Sequence, residues 1–204
     1  MNRQFTWRPS LGLPLAGRHT GFTLVELMVT LAIAAVLMVL AVPNLNDATL
    51  NGKLRSQANA FLATLHLARS EAIKRNGRVV VCKSADGETS AAGDGSGGWD
   101  QGWMVFHDRN NNGVRDNDED IIERHQPLAF GFSLTGNANI DDYISFNPSG
   151  DSMLTSGAFQ SGTLTLCRSV PTLAGRWRKI VVSAAGRARI EAVEEAVGAV
   201  KACP

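Results

Sequence analysis

The sequence is poor in the groups that carry most enzyme chemistry. It has no Gly-x-Ser-x-Gly elbow, no His-Glu-x-x-His zinc pair and no phosphate-binding loop, so hydrolase, metalloprotease and nucleotide-dependent activities find no recognisable site. His107 and His125 flank an acidic turn and His19 lies near the N-terminus, placements that need no function. An excess of one charge is also lacking: 20 Lys and Arg stand against 19 Asp and Glu, a formal charge of +1 over 204 residues. The net charge therefore predicts no polyanion partner; only its distribution could. The three cysteines allow at most one internal disulfide and leave one thiol over. There is no Gly-X-Y period, and 44% of residues are hydrophobic, which excludes a collagen and a wholly disordered chain. The length suits one globular domain with an appendage.

The appendage is the segment 22–42, FTLVELMVTLAIAAVLMVLAV, which holds no Lys, Arg or His and a single acid, Glu26. As a helix it is about 31 Å long, close to the roughly 30 Å of a bilayer's hydrocarbon core. Arg3, Arg8 and Arg18 precede it with no acid among residues 1–21. That side is expected to stay cytoplasmic, with the bulk of the chain across the membrane. A cleaved secretory signal fits poorly, because its apolar region spans only about 7–15 residues before a small-residue cut site. An ordinary signal anchor leaves Glu26 unexplained: a lone intramembrane carboxylate costs several kcal/mol and needs a partner. A cut after Gly21 would supply one, since Phe22 would then carry a free amine one helical turn before Glu26. The carboxylate could pair with that amine, or with the amine of a neighbouring copy, as helices stored in the membrane bundle into a filament.

At these residues the sequence resembles the type IV prepilin signature, carried by Gly21-Phe22-Thr23-Leu24-Val25-Glu26-Leu27 after a basic leader. The resemblance implies cleavage between Gly21 and Phe22 by a prepilin peptidase, N-methylation of Phe22 and a role for Glu26 in subunit registration. It divides the chain into a leader (1–21), a membrane and assembly half-helix (22–42), an amphipathic half-helix (43–77) and an antiparallel β domain (78–204). Pro43 stands at the junction of the half-helices, where it removes a helix hydrogen bond and invites a kink or local melting.

Beyond Pro43 the pattern is that of a soluble domain. Leu54, Ala58, Phe61, Leu65, Ala68 and Ala72 recur at steps of three and four, which places them on one helical face. Lys74 and Arg75 suit the last turn, and Asn76-Gly77 reads as a stop. Strand patterns follow at 78–82, 103–107, 121–124, 143–146, 163–167, 177–183 and 187–193, separated by turn residues, with a Gly-rich loop over 84–98. The expected fold is α+β: a long N-terminal helix packed on antiparallel sheet.

Three groups of residues invite a site. The stretch DRNNNGVRDNDE places Asp108, Asn110, Asn112, Asp116 and Glu119 at calcium-loop spacing. Strand patterns on both sides favour a structural hairpin turn instead, and calcium is the alternative. Arg168, Arg176, Arg178, Lys179, Arg187 and Arg189 form a run of cations with no acid between residues 168 and 189. Arg187 and Arg189 alternate on a strand after Gly186, so both point to one face, where two guanidiniums suit phosphate oxygens. Glu191, Glu194 and Glu195 lie close enough in sequence to pair with them. Of the cysteines, Cys167 with Cys203 would tie the tail back to the sheet; Cys82 with Cys167 is the other arrangement.

The order of these features resembles the GspH/FimT family of type IV minor pilins and type II secretion minor pseudopilins. It includes the strand ending in Cys82, Trp99-Asp100-Gln101-Gly102-Trp103, Phe146-Asn147-Pro148-Ser149-Gly150, Thr163 to Cys167 and Gly186-Arg187. The resemblance implies a non-enzymatic inner-membrane subunit with a periplasmic C-terminal domain. Its partners would be other minor and major pilins or pseudopilins, the prepilin peptidase and the assembly platform. It also implies DNA as a ligand of Gly186-Arg187-Ala188-Arg189, by analogy with FimT-like proteins that act in uptake.

Overall fold

The computed structural model describes residues 21–90, 97–137, 139–168 and 176–194, without the side chains of 40–47, 176, 193 and 194. The chain forms two compact units, residues 1–45 and 46–204.

In the first unit, helix α1 (Leu24–Arg75) begins with a side-chain cap. The Glu26 amide donates to Thr23 Oγ1 at 3.2 Å and the Leu27 amide to the Thr23 carbonyl at 3.1 Å. Thr23 thus satisfies one of the amides that a helix start leaves without a partner, and Thr-x-x-Glu is the capping-box pattern. Large apolar side chains from Phe22 to Val39 stand exposed around the helix. Among the described residues, no helix is long and apolar enough to cross a membrane. The backbone is helical at Pro43, so the local melting that proline invites there does not occur.

In the second unit the remainder of α1 runs to Arg75 and ends in a Schellman motif. Asn76 adopts φ 49°, its amide reaches the Ile73 carbonyl at 3.3 Å, and the Gly77 amide reaches Ala72 at 3.2 Å. Asn76, rather than Gly77, takes the left-handed position that turns the chain. Lys74 and Arg75 both pair with Glu71, at 3.0 and 2.7 Å.

Among the described residues eight strands follow: β1 (Arg78–Lys83), β2 (Trp103–Asp108), β3 (Ile121–His125), β4 (Phe132–Gly136), β5 (Tyr143–Phe146), β6 (Gly162–Arg168), β7 (Arg176–Val182) and β8 (Ala188–Glu194). They build two antiparallel four-stranded sheets, in the orders β3-β2-β1-β5 and β4-β6-β7-β8. The fold is the expected α+β arrangement, with two sheets in place of one. Strand β4 went unread in the sequence. Its Phe-Ser-Leu-Thr-Gly alternates correctly but is short, polar on one side and follows Gly131.

The helix face predicted from periodicity is the centre of the core. Leu54, Ala58, Phe61, Leu65, Ala68 and Ala72 are buried and join Val79, Val81, Val105, Leu134, Ile144, Leu164 and Ile180 from both sheets in one cluster. Phe61 wedges between two indoles, 5.4 Å from Trp99 and 4.8 Å from Trp103, edge to face with each. Their ring nitrogens are satisfied, Trp103 by Thr64 Oγ1 and Trp99 by the Ile140 carbonyl, both at 3.2 Å. Buried indoles keep their packing gain only when the N–H finds such a partner.

A second cluster lies on the opposite face of the first sheet, made of Val80, Cys82, Met104 and Phe106 with Ile121 and Tyr143 against it. Strand β1 is therefore buried on both faces, which is why its valines run consecutively instead of alternating with polar residues. Cys82 is a free thiol in this cluster, and burial pushes its ionisation up to about 12. Since an unfolded thiol ionises near 9.0, only the folded state keeps the proton between these values. Stability should thus fall as pH rises above 9, by at most about 1.4 kcal/mol per unit from this group. The Cys82→Ala variant should lose that slope in chemical denaturation measured from pH 8 to 11.

Candidate functional site

The N-terminal site is built on the first turn of α1. Gly21 has no positive φ, and a Cβ placed there would meet nothing within 4 Å. Among the described residues, nothing gives glycine a steric role at this position. Phe22 is 76% exposed. Glu26 sits in the first helical turn, where a carboxylate faces the positive end of the helix dipole. Thr23, which sequence reasoning passed over as part of the motif, contributes the cap. Its signal was present in the Thr-x-x-Glu spacing.

The arginine-rich stretch does not form one surface. Strand alternation sends Arg168 and Arg178 to the core side of the second sheet, with Leu166 and Ile180, and sends Lys179 and Arg189 to the other. Arg178 is buried and donates to the Trp177 carbonyl at 2.9 Å. The side chain of Arg176 lies outside the described residues. Arg187 and Arg189 are both exposed; Arg189 lies on the outer side of edge strand β8, and Arg187 stands just before that strand. Arg189 forms an ion pair with Glu191 at 2.8 Å, which spends part of its charge locally. Lys179 stands in register with that same Glu191.

Gly186 does more than close a turn. It has φ 67°, and a Cβ there would overlap the Gly150 carbonyl oxygen. Gly150 has φ 80° and in turn receives a hydrogen bond from Arg69 Nε on α1 at 2.9 Å. Three segments distant in sequence therefore meet at two glycines: the helix, the turn after β5 and the turn before β8. The latter turn is held by Gly186 N–H to the Ser183 carbonyl at 2.9 Å and Ser183 N–H to the Arg187 carbonyl at 3.0 Å. Its rigidity fixes where Arg187 leaves the fold.

The stretch from Asp108 to Glu119 joins strands β2 and β3, not helices. Asp108 is buried and accepts the amides of Asn112 at 3.1 Å and Gly113 at 2.9 Å. Burial, more than any charge, raises its ionisation above the usual carboxylate value. Glu119, also buried, accepts the amides of Arg109 at 2.7 Å and Asp116 at 3.0 Å. Asp116 accepts the side-chain amides of Asn110 at 2.6 Å and Asn112 at 3.1 Å. Asn111 and Gly113 take positive φ, 62° and 79°, so these are Asx turns around left-handed residues. Among the described residues, no group of three or more His, Cys, Asp or Glu could hold a metal ion.

Cys167 is disulfide-bonded and buried at the end of β6. Cys82 is a free thiol, so the alternative pairing of Cys82 with Cys167 is not formed. Cys203 lies outside the described residues.

The prokaryotic N-terminal methylation motif matches residues 17–42, and the family described as type II transport protein GspH matches residues 57–186. The chain belongs to the GspH family of minor pilins and pseudopilins. Similar solved structures include the type IV minor pilin FimU of Pseudomonas aeruginosa in two crystal forms. One is 20% identical, covering 70% of this chain and 91% of that one with a TM-score of 0.49. The other is 21% identical, covering 68% and 92% with a TM-score of 0.46. The minor pseudopilin EpsH from the type 2 secretion system of Vibrio cholerae is 15% identical, covering 69% and 97% with a TM-score of 0.46. No curated protein matches the chain.

A methyl group at position 186 would meet backbone rather than a yielding side chain. Gly186→Ala is expected to cost more than about 1 kcal/mol through the left-handed φ alone. Overlap with Gly150 adds to that, so the variant should melt well below the parent in a thermal unfolding scan.

Proposed function

We propose that this protein is a minor subunit of a type IV pilus, a priming or tip subunit without catalytic activity of its own. It is stored in the inner membrane through residues 22–42, with its C-terminal domain in the periplasm. Prepilin peptidase cuts it after Gly21 and Phe22 is N-methylated. The inner-membrane assembly platform then adds it to a filament of other minor and major pilins. The observation that carries this reading is the pairing, in one chain, of the methylation motif over residues 17–42 with the GspH family match over 57–186. Gly21 supports it, because among the described residues no contact requires glycine there and an outside agent that reads the position would.

The chemistry follows from charge. Before the cut, the nitrogen of Phe22 is a neutral amide, and Glu26 has only its helix terminus to stabilise it. The cut creates an ammonium beside the carboxylate, and methylation leaves its positive charge in place. In an apolar bundle that pair stabilises both ions, whereas either alone would cost several kcal/mol. Cleavage thereby turns an unfavourable membrane residue into a registration element. Cys167 and Cys203 are the pairing we assign to the disulfide, tying the tail to β6.

A second reading is favoured by the family description, type II transport protein GspH: a minor pseudopilin acting in protein secretion. Loss of the gene separates the two, since it abolishes pili in the first case and secretion of exported proteins in the second. The mature protein should begin at N-methylated Phe22 by mass spectrometry. Glu26→Ala should reduce its incorporation into fibres by about tenfold or more, given the size of the buried charge interaction. An intact Met1, or normal incorporation of the variant, would overturn the reading.

DNA contact is an added role that the exposed Arg187 and Arg189, two residues apart, favour. Contacts to phosphate would lack sequence preference and weaken steeply with salt. Replacing both arginines with glutamine should abolish a low-salt mobility shift of duplex DNA, and a shift that persists would remove DNA from the account.

A further inference from the structure

A cleft of about 330 Å³ opens where α1 ends, lined by Arg75, Arg78, His107, Asp108, Arg109 and Pro148, among others. Its three guanidiniums are held in different ways. Arg78 is fixed by neutral oxygens: Nε donates to Asn111 Oδ1 at 3.2 Å, and Nη1 donates to Ser145 Oγ at 2.8 Å and to the Met153 carbonyl at 3.1 Å. It forms no ion pair among the described residues; Asp108 acts on it only through space, and its position is set by the neutral oxygens. The carboxylate of Asp108 in the same wall is occupied by the amides of Asn112 and Gly113.

Arg75 and Arg109 share one acid. Asp120 Oδ2 lies 3.8 Å from Arg75 Nη1 and 3.4 Å from Arg109 Nη2, with its side chain 62% exposed. Both distances exceed those of a good charge-assisted hydrogen bond, and exposed pairs of this kind contribute little. Asp120 is thus a loosely held carboxylate of the chain's own at the mouth of a cleft that presents guanidinium N–H groups. Two further ions complete the group: Glu71 pairs with both Lys74 and Arg75. Lining and rim together hold four cations and three acids, with Lys74, Glu71 and Asp120 beside the lining residues they pair with. The surplus is one positive charge, enough for one carboxylate and unfavourable for a polyanion.

The geometry points to an acceptor site for an acidic side chain of a partner protein, with Asp120 as the resident competitor that the incoming carboxylate displaces. Arg78 supplies a preset guanidinium, and Arg75 and Arg109 are released from Asp120 to close on the ligand. Pro148 offers an apolar wall that seats a side chain, which a free inorganic ion cannot use. This site is separate from the methylated N-terminus and does not depend on the filament role.

The probe is a short peptide with a single glutamate among glycines and an uncharged fluorophore, titrated by fluorescence polarisation into the full-length protein in neutral detergent at low salt. Binding should weaken about fivefold in Arg109→Gln, whose guanidinium touches only Asp120 among the described ion pairs, and strengthen about twofold in Asp120→Asn. Lys179→Gln, a cation outside the cleft, should leave binding unchanged. Arg78→Gln should weaken it furthest; because Arg78 also braces the fold, a thermal scan accompanies that variant, and Arg109→Gln carries the test if it unfolds. Failure of the folded parent to bind the peptide would overturn the proposal. So would Arg109 and Asp120 variants that shift affinity in the same direction, or a Lys179 variant as weak as Arg109→Gln. Tighter binding of inorganic phosphate or of a duplex oligonucleotide, lost in Arg109→Gln, would overturn the assignment to a protein carboxylate.

Discussion

Both sheets close over one strip of helix. Leu54, Ala58, Phe61, Leu65, Ala68 and Ala72 touch strands from each four-stranded layer through a single cluster. Three of the six are alanines, and Phe61 packs edge to face against both Trp99 and Trp103. A larger residue at an alanine position would push a sheet away from the helix, because cores of this density absorb little added volume. The mix of small and large residues along the strip therefore sets the spacing of the strands packed on it.

The same helix serves another purpose nearer its start. From Phe22 to Val39 it is apolar around its whole circumference, a pattern that no single face of a small domain can bury. Thr23 holds the first turn through its side chain whether or not the peptide bond before Phe22 is intact. The helix therefore forms without a cut, and in the proposed role the change that cleavage brings is one of charge. In the proposed role, this separates the folding of the subunit from its licence to assemble.

Much of this was legible because two simple periods survive in the sequence. Steps of three and four from Leu54 to Ala72 named the buried helix face, and short runs rich in valine or aromatics marked seven of the eight strands. The remainder failed for physical reasons. Strand β4 carries Ser133 and Thr135 on one side, so it lacks the apolar density that betrays a strand. The second sheet was hidden because pairings such as Leu134 with Leu166 join segments that no local signal connects. The run of six cations looked like a patch because sequence proximity ignores alternation: neighbours along a strand point apart, and Arg178 ends up buried. The role of Gly150 and Gly186 was invisible for a related reason, since each glycine reads as a turn residue until the other is seen beside it.

The meeting of Arg69, Gly150 and Gly186 has a consequence for the order of events during biogenesis. Arg69 Nε reaches across 81 residues of chain to the Gly150 carbonyl, and Gly186 closes on that carbonyl from a hairpin near the C-terminus. Contacts so distant in sequence form late, after loop closure has been met. In the proposed role the β domain crosses the membrane in order of synthesis while the N-terminal side stays behind, so the last hairpin arrives only when translocation is nearly finished. The junction then acts as a completion latch: the upper end of the helix is secured only once the whole domain has emerged, and a chain stalled or shortened before Ser183 would leave it open.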